Sequence, residues 1–151
     1  MTYPIQYAER ALDRIDTALY AMRSYLSEAI TVMAAGNVSI DYVLSIHNSL
    51  ENTQNTLTAN KSVPGLAAYA QRIKGDNNLN VATEFTTVET EIANAKTWMV
   101  NNLPKESATG QGWLHYMRFD GSGNLVKATF TPAQTAQFRT VLQTLVNTVS
   151  V

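Results

Sequence analysis

The strongest constraint in this chain is a row of apolar residues at alternating spacings of three and four. It runs unbroken through Ile5, Ala8, Leu12, Ile15, Leu19, Met22, Leu26, Ala29 and Met33. Only a helix brings positions so spaced onto one face, so the spacing predicts a long N-terminal helix. Pro4 suits its first turn, and Gly36 with Asn37 supplies a left-handed stop. Ala11, Ala18, Tyr25 and Val32 form a second row beside the first. That makes the apolar face wider than a two-stranded coiled coil needs, which is expected of a helix packed inside a bundle or against more than one partner.

The same rhythm recurs further along. Val43, Ile46, Leu50, Thr53 and Leu57 predict a second helix, capped by Ser39 and with Asp41 in its electropositive first turn. From Glu51 to Asn60 it is rich in Asn, Thr and Gln, which hold helices weakly, so tertiary contacts must maintain it and fraying is expected near Asn60. Ser62 and Pro64 open a short helix carrying Leu66, Tyr69, Ala70 and Ile73, closed by Gly75. After the polar run 75–78, Val81, Phe85, Val88, Ile92, Ala95 and Met99 predict a fourth helix, with Trp98 beside the stripe and Pro104 ending it.

Beyond the polar connection 105–111 the period changes. Residues 113–119 and 125–130 are short runs rich in aromatic and β-branched residues, separated by Asp120, Gly121, Ser122, Gly123 and Asn124, which predicts a β-hairpin. Thr131, Pro132 and Gln134 then spell a capped helix start, and Phe138, Val141, Leu142, Leu145, Val146 and Val149 supply its buried face. A lone two-stranded ribbon is marginal in water, so the hairpin is expected to lie on the helices or to complete a sheet with another chain. The expected fold is mainly α: a helical bundle with a long N-terminal helix, a C-terminal β-hairpin and a final capped helix. Residues 1–151 read as a single domain, with a helical part at 1–104 and a hairpin-helix unit at 112–148.

Composition narrows the function more by exclusion. At 151 residues and 45% apolar the chain can bury a sizeable core without staples. Eleven basic and twelve acidic residues give a net charge of -1, so nucleic acid and anionic membranes are disfavoured as partners. The absence of cysteine removes disulfides, thiolate metal sites and cysteine nucleophiles. With no leader-like start and no stretch of membrane-spanning length, a soluble protein is expected.

Little remains for chemistry. His47 adjoins the stripe of the second helix, and His115 falls in the first predicted strand; both read as structural residues. Glu84, Glu89 and Glu91 read as a solvated face, while Glu28, Asp41 and Glu51 are scattered. Residues 120–124 lack the spaced carboxylates of a calcium loop. No nucleophile elbow, Walker loop, dinucleotide fingerprint or zinc-protease motif is present. Arg10, Arg14 and Arg23 are interspersed with Glu9, Asp13 and Asp16, an arrangement suited to local ion pairs. The chain therefore reads as a non-enzyme, with no cofactor, metal or small-molecule substrate. Its interface candidates are Leu12, Leu19, Tyr25 and Leu26 on the first helix and Trp113, Tyr116, Phe119 and Phe130 in the hairpin.

The run Asn80-Val-Ala-Thr-Glu-Phe85, continuing to Trp98-Met-Val-Asn-Asn-Leu-Pro104, resembles a pattern of small virion proteins of tailed bacteriophages. So does Arg118-Phe-Asp-Gly-Ser-Gly-Asn-Leu125, followed by Phe130-Thr-Pro-Ala-Gln-Thr-Ala136. The resemblance covers about the second half of the chain; residues 1–79 have no comparable match. It implies a structural subunit of the virion, present in many copies at the head-to-tail joint, tail or fibre attachment, whose partners are copies of itself and other virion proteins. The alternative expectation is a small cytosolic helical binding or regulatory module.

Overall fold

The computed structural model describes residues 5–35, 40–74, 81–102, 117–119, 122, 125–127 and 131–149, with backbone alone for 40, 41, 74, 81–84, 117–119 and 125–127. The fold is mainly α, with five helices packed as a bundle and the longest at the N-terminus. These are α1 (Ile5–Ala34), α2 (Ile40–Asn60), α3 (Leu66–Lys74), α4 (Val81–Asn102) and α5 (Pro132–Thr148). Between α4 and α5 the backbones of Met117–Phe119 (β1) and Leu125–Lys127 (β2) pair antiparallel, Met117 opposite Lys127 and Phe119 opposite Leu125. The expected stop at Gly36, the cap at Ser39, the loop 75–78 and the segment 103–116 lie outside the described residues.

Four of the helices close a ring of contacts: α1 on α2, α2 on α4, α4 on α5 and α5 on α1, with α3 bridging α1 and α4. Neighbours run antiparallel. Lys61, just past the end of α2, meets Glu89 of α4, and Gln54 of α2, seven residues earlier, meets Lys96, seven residues later. Likewise Trp98 stacks on Phe138, while Asn102, one turn on, meets Gln134, one turn back. The result is an up-down-up-down bundle with α3 inserted in the α2 to α4 connection.

The core follows from the stripes. Every member of the α1 row from Ala8 to Met33 is buried, and Ala11 joins it, whereas Ile5 at the helix end is 49% exposed. Val43, Ile46, Leu50 and Leu57 of α2, Phe85, Val88, Ile92, Ala95 and Met99 of α4, and Phe138, Leu142, Leu145, Val146 and Val149 complete one cluster with Leu66 and Ala70. Ile73, expected on the buried face of α3, is 59% exposed, because a helix of nine residues seats only its first turns on α1 and α4.

Two local features depart from expectation. The weak half of α2 does not fray near Asn60. Thr53 and Thr56 donate to the carbonyls of Ser49 and Asn52, Asn60 Nδ2 donates to the carbonyl of Thr56 at 2.8 Å, and Asn60 is itself buried. Side chains that usually compete with a helix here bond back onto it, and the core holds them there. The next helix begins at Leu66, later than Pro64. Val63 to Leu66 form a turn closed by Leu66 N–H to the Val63 carbonyl, with Pro64 second and Gly65 third at φ +82°, the geometry of a type II turn.

The start of α5 is as expected. Gln134 N–H donates to Thr131 Oγ1 at 3.0 Å, and Thr131 N–H donates to Gln134 Oε1 at 2.9 Å, with Pro132 in the first position. The Gln134 amide also donates from Nε2 to the carbonyl of Asn102. One side chain thus closes the N-terminus of α5 and pins it to the C-terminal end of α4.

Candidate interaction surface

Among the described residues no group of three or more His, Asp or Glu side chains is placed to hold a metal ion. No described helix is long and apolar enough to cross a membrane. The polar side chains that do converge lie along the α2 to α4 seam. Lys61 Nζ bonds Glu89 Oε2 at 3.2 Å, and Lys96 Nζ donates to Gln54 Oε1 at 3.1 Å. His47 stands seven residues before Gln54 on the same edge of α2. Burial, then the Lys96 ammonium, holds the His47 imidazole below its usual pKa, and Glu51 opposes them.

Glu89 is the residue that sequence reasoning placed wrongly. Its side chain is 17% exposed and paired, with Oε1 buried and without a hydrogen-bond partner among the described residues, so it belongs to a helix seam instead of a solvated face. The available signal was the shared seven-residue spacing of Gln54 in α2 and Lys61 just past its end, and of Glu89 and Lys96 on α4. Of the remaining carboxylates, Glu28 and Glu51 are exposed and Glu91 half-buried; the side chains of Asp41 and Glu84 lie outside the described residues.

Among the described residues, the local ion pairs expected along α1 are not formed by its arginines. Arg10, Arg14 and Arg23 are exposed and make no ion pair with a described residue. Four residues apart, Glu9 faces Asp13 and Arg10 faces Arg14; Arg10 and Asp13, three apart, lie within reach of each other but form no ion pair among the described residues.

The interface candidates divide into three groups. Leu12, Leu19 and Leu26 are 4%, 3% and 0% exposed, so the chain's own core uses them and any partner of α1 must meet its other side. Tyr25 is half-buried at the core's edge, its ring centroid 6.1 Å from that of Tyr42. Burial chiefly, then the neighbouring Tyr25 and Glu28, raises the Tyr42 phenol above its ordinary pKa. Trp113, Tyr116 and Phe130 lie outside the described residues, and of Phe119 only the backbone is described; His115 is likewise outside them.

The surface that was not foreseen is a shallow groove between α1 and α2. Near the middle of α1 it has a volume of about 570 Å³ and is walled by Ala18, Ala21 and Tyr25 on one side and Ser45, Ser49 and Asn52 on the other. A second stretch of about 600 Å³ continues it past Thr17, Asn55 and Ala59 to Asp13 and Arg14, sharing Ala18, Ala21 and Thr56 with the first. The groove exists because both helices present small side chains there, so their backbones are left uncovered. Several large apolar side chains of α1 are also exposed, including Tyr20 at 66%. No family model, no curated protein and no solved structure matches this chain.

Proposed function

We propose that this chain is a structural and assembly subunit of a tailed-phage particle. It makes symmetric contacts with copies of itself and with other virion proteins at the head-to-tail joint, the tail or a fibre attachment. The groove between α1 and α2 carries the interaction half of this reading. It is long, open and walled by small side chains, which lets another chain's backbone approach closely. The virion half rests on the resemblance of residues 80–85, 98–104, 118–125 and 130–136 to small phage proteins. The hairpin-helix unit 112–148 supplies a second contact element, since a two-stranded ribbon offers backbone edges to a neighbour's sheet.

The same groove favours a second reading, a cytosolic module that seats one helix of a regulatory partner. Two measurements separate them: native mass spectrometry of the purified protein, and proteomic mass spectrometry of purified particles. Oligomers together with presence in particles are expected. A strict monomer missing from particles would sink the assembly reading, and presence only in the host cytoplasm would favour the module.

A further inference from the structure

The core-facing seam of α1 is spent inside the bundle, but the side of α1 beside the groove carries a row with a palindromic order. Ala18 and Ala21 stand at its centre; four residues outward lie Arg14 and Tyr25, and seven further lie Tyr7 and Val32. Tyr7 and Val32 are 51% and 40% exposed, Arg14 and Ala21 are exposed, and Ala18 and Tyr25 are half-buried on the groove wall. The wide apolar face read from the sequence, which includes Val32, is thus only partly covered by the described residues.

We propose that two copies of this chain associate through this row, α1 antiparallel on α1, with a two-fold axis passing between Ala18 and Ala21. The inference deepens the assembly reading and rests on its self-association alone. An isologous contact requires a surface that complements itself when reversed, and this one does. Ala18 meets the partner's Ala21, so the helices approach closely where the groove leaves room. Arg14 lies over the ring of the partner's Tyr25, a cation–π arrangement. Tyr7 covers the partner's Val32 at each end.

Charge selects both the partner and the direction. Arg10 and Arg14 repel across one helical turn, and neither they nor the exposed Glu28 makes an ion pair with a described residue. The antiparallel copy sets the partner's Glu28 at the level of Ala11, one residue from Arg10 and three from Arg14, twice over by symmetry. A parallel copy would set arginine on arginine and glutamate on glutamate. The complement to this row is therefore the same row on another molecule.

Light scattering and sedimentation of the full chain test the contact. A dimer is expected, and Ala21→Arg, at an exposed position, should weaken it at least tenfold while the circular dichroism spectrum stays unchanged. Arg10→Glu should also weaken it, and adding Glu28→Arg should restore it, since that exchange leaves Arg14 on the partner's Tyr25. Because the chain has no cysteine, an oxidised mixture of Tyr7→Cys and Val32→Cys chains should yield the mixed disulfide dimer; like-with-like dimers would mean a parallel pair. A monomeric wild-type protein, a dimer indifferent to Ala21→Arg, or a parallel crosslink each overturns the proposal. If such a protein still enters particles, the assembly reading stands without this surface.

Discussion

Helix α4 has two neighbours and meets them by different means. Against α5 the contact is apolar: Trp98 stacks on Phe138 at 5.6 Å with the rings 10° from parallel, beside buried Met99 and Leu142. Against α2 the edge of the contact is polar, with Lys61 on Glu89 and Lys96 on Gln54 as rungs seven residues apart. Apolar burial is non-directional and tolerates sliding, whereas rungs at one spacing are satisfied in one alignment only. The α4 to α5 seam therefore supplies cohesion, and the α2 to α4 seam supplies register.

The largest effect should come from breaking the apolar side. Phe138 is 1% exposed and is among the largest buried side chains, so Phe138→Ala removes both its transfer energy and its stack on Trp98. Chemical denaturation should show a loss of about 3–5 kcal/mol. A loss below about 1 kcal/mol would mean that the seam is not the cohesive one.

The polar side should respond differently to one substitution and to two. Lys61→Ala leaves Glu89 with Oε2 stripped of its ammonium and Oε1 already without a partner among the described residues, and should cost about 1–3 kcal/mol. Replacing both, Lys61→Met with Glu89→Leu, should recover most of that loss, because neither charge then has to be held at a seam. If the double variant is as unstable as the single one, the pair contributes cohesion and the contrast between the seams fails.

Much of this arrangement was legible, because helical stripes are local patterns. The α1 row, the α4 stripe from Phe85 to Met99 and the Thr131 to Gln134 cap all stand where the spacing puts them. What could not be read depends on how helices dock. The Gln134 bond to Asn102 exists only once α5 lies beside the end of α4, and the burial of Glu89 exists only once α2 covers it. Asn60 misled because its intrinsic preference is against helix, while its burial and its bond to the Thr56 carbonyl were invisible. The groove was half legible: the second row of α1 announced surplus width, but the small wall of α2 opposite it required the packing.

The junction between α4 and α5 gives a finer test. Thr131→Ala removes the cap of α5 but leaves Gln134 free to hold Asn102, and should cost about 1 kcal/mol. Gln134→Ala removes both functions and should cost more, although it deletes no capping hydroxyl. Equal losses in thermal or chemical unfolding would show that the tie to α4 adds nothing to the apolar seam.

The smallest effect should lie at the polar edge and depend on pH. Burial and the Lys96 charge depress the folded-state pKa of His47 below 6.5, with Glu51 opposing. The unfolded chain therefore takes up the proton first as pH falls, so the folded state loses stability from pH 6.5 down to the depressed folded-state value, and regains it as pH rises. Between pH 7.5 and 5.5 the thermal midpoint of the wild type should fall, and His47→Gln should remove part of that fall. The difference between wild type and His47→Gln, rather than the slope itself, separates this imidazole from His115. A slope unchanged in the variant would place His47 outside the charge field of the α2 to α4 seam, leaving the two rungs alone to define its register.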